Sequence, residues 1–209
     1  MFDGRWRAGV EKGMKPLGAA LRRTGLTADH FTAAGLVLAG ATAVAIGSGR
    51  LGLGLVLLIS SALPDLLDGA VAKASGTASV RGAFFDSVVD RVSDALVLGG
   101  FGWYLASDRG DHWAMLPFAV LGASMLISYE RAKAEGLGFN ARGGLMERAE
   151  RIIALCLALL VRPLMVPILF VMLALTLVTA VQRFVKVWRQ AAAPPRRVRA
   201  RDTRAMWPR

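Results

Sequence analysis

Six apolar stretches, at roughly 31–48, 51–71, 83–106, 113–131, 146–161 and 164–185, occupy most of this 209-residue chain. Several approach the ~20 residues that an α-helix needs to cross the hydrocarbon of a bilayer. In lipid, backbone amides and carbonyls must be satisfied within their own segment, so stretches of this kind are confined to helices. The chain is 55% hydrophobic, with a mean hydropathy of +0.47, too apolar for a soluble domain of its size. It therefore reads as an all-α membrane protein with six transmembrane helices. The fifth stretch is the shortest, and Arg162-Pro163 breaks the apolar run between it and the sixth.

Charge tests the count. With both termini cytoplasmic, the segment before 31 holds 6 Lys/Arg, the region from Lys73 to Arg91 holds 3, that from Arg131 to Arg151 holds 5, and that from Arg183 onward holds 9. The remaining cations, Arg50, Arg109 and Arg162, fall one in each outer loop. Five spans would put the basic C-terminal segment outside, against the positive-inside rule. The net charge of +11 is thus explained by topology and by attraction to anionic membrane lipid. No nucleic-acid-binding signature accompanies it.

Residues 1–30 alternate Arg5, Arg7, Lys12, Lys15, Arg22 and Arg23 with Trp6, Val10, Met14, Leu17 and Leu21. They lack the continuous apolar run of a cleaved signal peptide. They read as an N-terminal amphipathic juxtamembrane helix on the membrane surface, with a solvated helix packed on the protein itself as the alternative. Residues 31–187 make the six-helix domain. Residues 188–209, rich in Pro and Arg, read as a basic disordered cytoplasmic tail. The single cysteine, Cys156, lies in an apolar run and excludes an internal disulfide.

Against this background four acids stand out in DLLDGAVAKASGTASVRGAFFDSVVD, Asp65 to Asp90. Asp65 and Asp68 are three apart near the inner end of the second stretch, and Asp86 and Asp90 are four apart near the inner start of the third. Either spacing puts both carboxylates on one helix face. The short loop between them makes the two helices neighbours, so the pairs can form one four-carboxylate cluster. Four anions cannot remain ionised together in a low-dielectric site without counterions. Lys73, Arg81 and Arg91 could pair with them and make the cluster structural. Divalent cations are the other solution. An oxygen-only donor set suits hard ions, Mg²⁺, Mn²⁺ or Ca²⁺, rather than zinc. Ionisable groups inside a membrane domain point to function, which favours a two-metal site. Gly69 and Gly82 permit close approach of a ligand, Ser79 adds a hydroxyl, and Lys73 can meet a phosphate. Together these suggest a pyrophosphate or nucleotide ligand.

The run Asp65-x2-Asp68-Gly69-x2-Ala72-Lys73-x8-Gly82-x3-Asp86-x3-Asp90 resembles the signature of the CDP-alcohol phosphotransferases, D-x2-D-G-x2-A-R-x8-G-x3-D-x3-D. Lys73 is the one departure; it keeps the charge of the family arginine but loses its bidentate fork. The resemblance implies transfer of a phosphatidyl group from CDP-diacylglycerol to an alcohol, with release of CMP and with two Mg²⁺ or Mn²⁺ ions. It implies that Asp65, Asp68, Asp86 and Asp90 hold the metals, that Asp90 is also the general base, and that Gly69, Lys73, Ser79 and Gly82 line the CDP-diacylglycerol site. Asp29-His30-Phe31-Thr32 matches a nucleotide-contacting D-x-x-T element, which adds Asp29 and Thr32; from the residues alone Asp29 is an N-cap.

The stretch SYERAKAEGLGFNARGGLMERAERI, residues 128–152, is similar to the inositol-phosphate-using actinobacterial subgroup, whose pattern is close to SY-x-K-A-R-A-E followed by E-R-P-E-R. That likeness implies that Arg131, Arg151 and Arg183 bind the phosphate of inositol 1-phosphate; three snorkelling positive-inside residues are the plainer alternative. A soluble alcohol phosphate such as glycerol 3-phosphate, the acceptor of phosphatidylglycerophosphate synthases, would use a similar pocket. The family also implies a homodimer. Two rivals from other classes are a divalent-cation transporter and a catalytically silent lipid-binding scaffold. Against transport, the acids cluster at one end of their helices; against the scaffold, all four acids are intact.

Overall fold

The computed structural model of the chain describes residues 28–62 and 80–192, and every regular element among them is helical. Helix α1 spans Ala28–Gly47, and α2 is described over Leu51–Ala62. The long α3 covers Val80–Arg109, and a 3₁₀ turn at Asp111–Ala114 leads into α4, Met115–Gly136. After an extended connection come α5, Arg148–Leu160, a second 3₁₀ turn at Arg162–Leu164, and α6, Met165–Ala192. The N-terminal amphipathic segment before 28, the far end of the second apolar stretch and the tail beyond 192 lie outside the described residues.

The helix breaks follow from particular residues. Gly49 takes φ +79° after α1, its N–H bonding Ile46 O at 2.9 Å while Arg50 N–H bonds Ala45 O at 2.9 Å. This glycine-ended cap absorbs the last carbonyls and turns the chain into α2. Arg162-Pro163 ends α5, as its sequence suggests, with Pro in the first positions of the 3₁₀ turn. At the other end of α6 the boundary differs from expectation. The helix continues through residues 188–192, assigned above to a disordered tail, because Trp188 stacks on Phe184 (centroids 5.7 Å apart) and Gln190 bonds the backbone of Asn140.

Helices α1 and α3 approach so closely that small residues are obligatory between them. A Cβ at Gly100 would lie 2.7 Å from both Cα and O of Ala43, and one at Gly47 would strike the Trp103 ring. Lipid offers helices no hydrophobic drive to associate, so close backbone packing of this kind supplies the attraction. Around it lies an apolar core that includes Ile46, Leu98, Phe101, Leu105, Val120 and Leu169. The outside is apolar too: Val37, Val44, Phe118, Phe170, Val171 and Val181 are all exposed. Such a surface suits a protein whose solvent is lipid.

Among the described residues, three helical stretches, Asp29–Gly47, Asp111–Gly136 and Arg162–Ala192, are long and apolar enough to cross a membrane. Every regular element of the described residues is helical, and these three suit a membrane by length and composition. Helix α3 is long enough, at 30 residues, but carries charge through its first half. Helix α5, at 13 residues, extends only about 20 Å.

The packing at Gly100 makes a testable contrast. Gly100→Ala should lower the melting temperature in detergent, at a cost of roughly 1–3 kcal/mol for overpacking against the α1 backbone. Gly99→Ala, where an added Cβ meets nothing within 4 Å, should be neutral or slightly stabilising. Equal melting shifts for the two variants would contradict the packing described.

Candidate functional site

Asp86 and Asp90 stand on one face of α3, as their spacing requires, and Asp94 extends the row by one more turn. Gly82 lies one turn before Asp86 on the same helix. Opposite the row, α5 presents Arg148 and Arg151, three residues apart and hence also on one face. The charges interleave. Asp90 accepts from Arg148 through Oδ1 and from Arg91 Nη1 through Oδ2, the latter at 3.2 Å. Asp94 Oδ2 lies 2.5 Å from Arg151 Nη2, and its Oδ1 lies 4.0 Å from Arg148 Nε. The carboxylates are about 15% exposed and the Arg151 side chain 6%, so these are sheltered pairs rather than surface ones. Removing one member of such a pair strands the other charge.

Beside this ladder a cleft of roughly 450 Å³, counting its open mouth, runs between α1, α2, α3 and α5. Thr32 and Gly35 of α1, Ser61 of α2, Ser93 and Asp94 of α3, and Arg148 of α5 line it among apolar side chains. Thr32, singled out above as a nucleotide contact, is thus buried at the cleft wall. Asp29 sits half-buried one turn earlier, in the first turn of α1.

The three arginines expected to hold an acceptor phosphate share an electrostatic neighbourhood centred on Arg183. Arg131 of α4 and Arg151 of α5 both lie within electrostatic range of Arg183 on α6, as do Glu130 and Glu147. Their guanidinium groups are partly engaged. Arg131 Nε bonds Glu135 Oε1 at 3.2 Å. Arg183, 5% exposed, donates from Nη1 to Ile127 O at 2.7 Å, from Nε to Gly143 O at 3.0 Å and from Nη2 to Glu147 Oε1 at 3.3 Å.

Arg183 therefore also serves the connection 137–147, which α6 holds along its length. Thr179 Oγ1 accepts from the N–H groups of Leu145 (3.2 Å) and Met146 (3.1 Å) while donating to Leu175 O. Lys186 Nζ donates to Arg142 O at 2.8 Å, and Gln190 both donates to and accepts from the backbone of Asn140. Positions 179, 183, 186 and 190 recur at helical spacing, so one stripe of α6 pins the loop. Gly143 and Gly144, at φ +94° and +152°, allow it to lie there, since a Cβ at Gly144 would collide with Thr179. The loop in turn delivers α5 and its Arg148 to the cleft.

Of the residues drawn from the sequence, Asp29, Thr32, Gly82, Asp86, Asp90, Arg131, Arg151 and Arg183 are described, whereas Asp65, Asp68, Gly69, Lys73 and Ser79 lie outside the described residues. Among the described residues no three metal-type side chains converge. Those residues supply two members of the expected carboxylate set, Asp86 and Asp90, both oxygen donors of the kind that hard cations take. Arg91, weighed above as a counterion, does pair with Asp90. Asp94 and Arg148 were not singled out above, though each extends a visible pattern. Asp94 continues the four-residue interval of Asp86 and Asp90, and Arg148 precedes Arg151 by three.

Comparison with known proteins matches residues 26–188 to the family model described as CDP-alcohol phosphatidyltransferase. The archaetidylinositol phosphate synthase of Methanothermobacter thermautotrophicus is 35% identical over 173 residues, covering 80% of this chain and 86% of its own. The phosphatidylinositol phosphate synthase of Mycobacterium marinum is 33% identical over 197 residues, covering 90% and 84%. The Mycobacterium tuberculosis phosphatidylinositol phosphate synthase, solved with CDP-DAG bound, superposes with a TM-score of 0.78 at 31% identity, covering 84% of this chain and 93% of that one. The same enzyme solved with manganese and citrate gives 0.76, with 84% and 88% covered.

The α6 latch has a measurable consequence. Thr179→Val should leave two backbone N–H groups without their acceptor, at a cost of about 1–3 kcal/mol, and speed tryptic cleavage after the exposed Arg142. Thr179→Ser should retain both properties, and a Val variant as protease-resistant as wild type would refute the latch.

Proposed function

Because the chain belongs to the CDP-alcohol phosphatidyltransferase family, we propose that it moves the phosphatidyl group of CDP-diacylglycerol onto a hydroxyl of inositol 1-phosphate, giving phosphatidylinositol phosphate and CMP. The observation that carries the acceptor assignment is that Arg131 and Arg151 lie within electrostatic range of Arg183, with Arg151 paired to Asp94 of the α3 row. A phosphate monoester is a compact dianion, and guanidinium groups bind it by paired hydrogen bonds. The names of the relatives, synthases of archaetidylinositol phosphate and phosphatidylinositol phosphate, support the same acceptor. They favour neither glycerol 3-phosphate transfer nor cation transport.

Each group then has a task. Asp65, Asp68, Asp86 and Asp90 would hold two divalent cations, Mg²⁺ or Mn²⁺, and the manganese complex of the mycobacterial enzyme is in keeping with this. When bound, such ions neutralise charge on a pyrophosphate. Thr32 and Asp29 from α1, Gly82 from α3, and Gly69, Lys73 and Ser79 would form the CDP-diacylglycerol site; of these, Thr32 lines the cleft between α1, α2, α3 and α5. Asp90 takes the proton of the acceptor hydroxyl. That oxygen attacks the β-phosphorus, on the diacylglycerol side, and the bond to the CMP oxygen breaks. Arg148 and Arg91 hold the Asp90 carboxylate in place from either side.

The wider organisation follows from charge and chemistry. Six spans, with both termini cytoplasmic, segregate the cations to one side. The N-terminal segment, 1–30, and the basic tail attract anionic lipid, 31–187 make the catalytic domain, and the chain works as a homodimer. The active site then sits at the cytoplasmic headgroup level, open to a lipid sideways and to a soluble phosphate from water.

Purified protein given CDP-diacylglycerol, a divalent metal and radiolabelled acceptors should make lipid and CMP with inositol 1-phosphate, and at least about tenfold less with glycerol 3-phosphate, inositol or serine. A preference for glycerol 3-phosphate would replace the acceptor assignment, and lipid synthesis indifferent to chelator would remove the metals. Separately, Asp90→Asn should lower kcat by roughly a hundredfold or more while CDP-diacylglycerol still binds. Unchanged kcat would take the base role from Asp90.

A further inference from the structure

The third acid of the α3 row has no task in the chemistry above. Asp94 is only 16% exposed at its side chain, and it lies in the wall of the cleft, next to Ser93 and facing Arg148. Its strongest contact is to Arg151, at 2.5 Å, and its other oxygen lies 4.0 Å from Arg148 Nε. Arg151 is itself buried. A buried guanidinium needs an opposing charge, and a carboxylate meeting it at one nitrogen also fixes the plane of the whole group. Arg151 Nη2 faces Asp94; Nε and Nη1 belong to the same rigid fork, so the direction of their N–H bonds is set by the pair. A pair serving packing alone would stand in the apolar core. Here the Asp94 end of the pair lines the cleft, one helical turn from Asp90, with Arg151 bonded behind it.

We infer that Asp94 is a positioning residue for the phosphorylated acceptor: from the cleft wall it presets the Arg151 guanidinium bonded to it, so that a phosphate monoester entering beside Asp90 meets donors already aimed. The inference rests on Arg151 being a ligand of the acceptor phosphate. Asp94 acts through Arg151 and touches no reacting atom. Its effect belongs to acceptor binding, because a loosened guanidinium must be ordered by the incoming phosphate.

Steady-state kinetics of the full-length protein, with inositol 1-phosphate and CDP-diacylglycerol varied in turn, test this. Asp94→Asn should raise KM for inositol 1-phosphate on the order of tenfold, as loss of one charge-assisted bond implies, with KM for CDP-diacylglycerol and kcat changed less than about threefold. In an Arg151→Gln background the same change should add little, because its intermediary is gone. Asp94→Glu, which keeps the charge but displaces it by a methylene, should fall between Asn and wild type; it also serves if the Asn variant does not accumulate. Both KM values and kcat deteriorating together, or an Asp94→Asn effect undiminished without Arg151, would overturn the inference in favour of a structural pair. Arg151→Gln raising acceptor KM while Asp94→Asn and Asp94→Glu leave it within twofold would overturn the inference alone. An Arg151→Gln enzyme with unchanged acceptor KM would remove the acceptor pocket, and the inference with it.

Discussion

The interleaved charges of α3 and α5 govern the rest of the molecule. An isolated carboxylate or guanidinium inside a helical membrane protein would be expelled toward water or neutralised. Asp90, Arg148, Asp94 and Arg151 avoid both outcomes by alternating across one interface. The alternation sets the register of α5 on α3, since a shift of one residue along either helix would turn the charges onto different faces. Short α5, which by length alone would be the least determined helix, is thereby held beside the acid row.

That interface depends on a second one. Helix α5 begins where the connection 137–147 delivers it, and the connection owes its course to α6. Thr179, Arg183, Lys186 and Gln190 capture backbone groups of the loop, which would otherwise have to find partners in solvent. Arg183 belongs to both systems, bonding the loop backbone while sharing an electrostatic neighbourhood with Arg131 and Arg151. A positioning task and a binding task are compatible in one guanidinium, because its five N–H donors exceed what the loop takes.

Much of this was legible in the sequence, and what was not has a common cause. Within the described residues the apolar stretches became helices, and the break at Arg162-Pro163 appeared as a 3₁₀ turn, because these are local consequences of hydropathy and of the proline ring. The shared face of Asp86 and Asp90 is likewise a local consequence of helical spacing. The family was readable from the spacing of invariant-type residues between Asp65 and Asp90. The partnership of Asp94 with Arg151, 57 residues away, and of Arg183 with Gly143, 40 residues away, depends on how the connection folds back. Periodicity cannot express that. The tail boundary moved for the same reason: Gln190 is held in the helix by Asn140, fifty residues earlier.

The charge placement on α3 and α5 carries a consequence for the surrounding bilayer. Between Asp94 and Asp108, α3 has no charged residue, a stretch of about 20 Å; between Arg151 and Arg162, α5 has none over about 16 Å. Both fall short of the ~30 Å hydrocarbon thickness of an ordinary membrane. Two adjacent elements with the same deficit, placed across a bilayer, would meet it with a hydrophobic mismatch on one side of the protein, and lipid accommodates such a deficit by thinning. On the six-span topology proposed above, a leaflet thinned at that flank would bring the headgroups toward the cleft and shorten the distance a lipid must be lifted before its polar end is within reach.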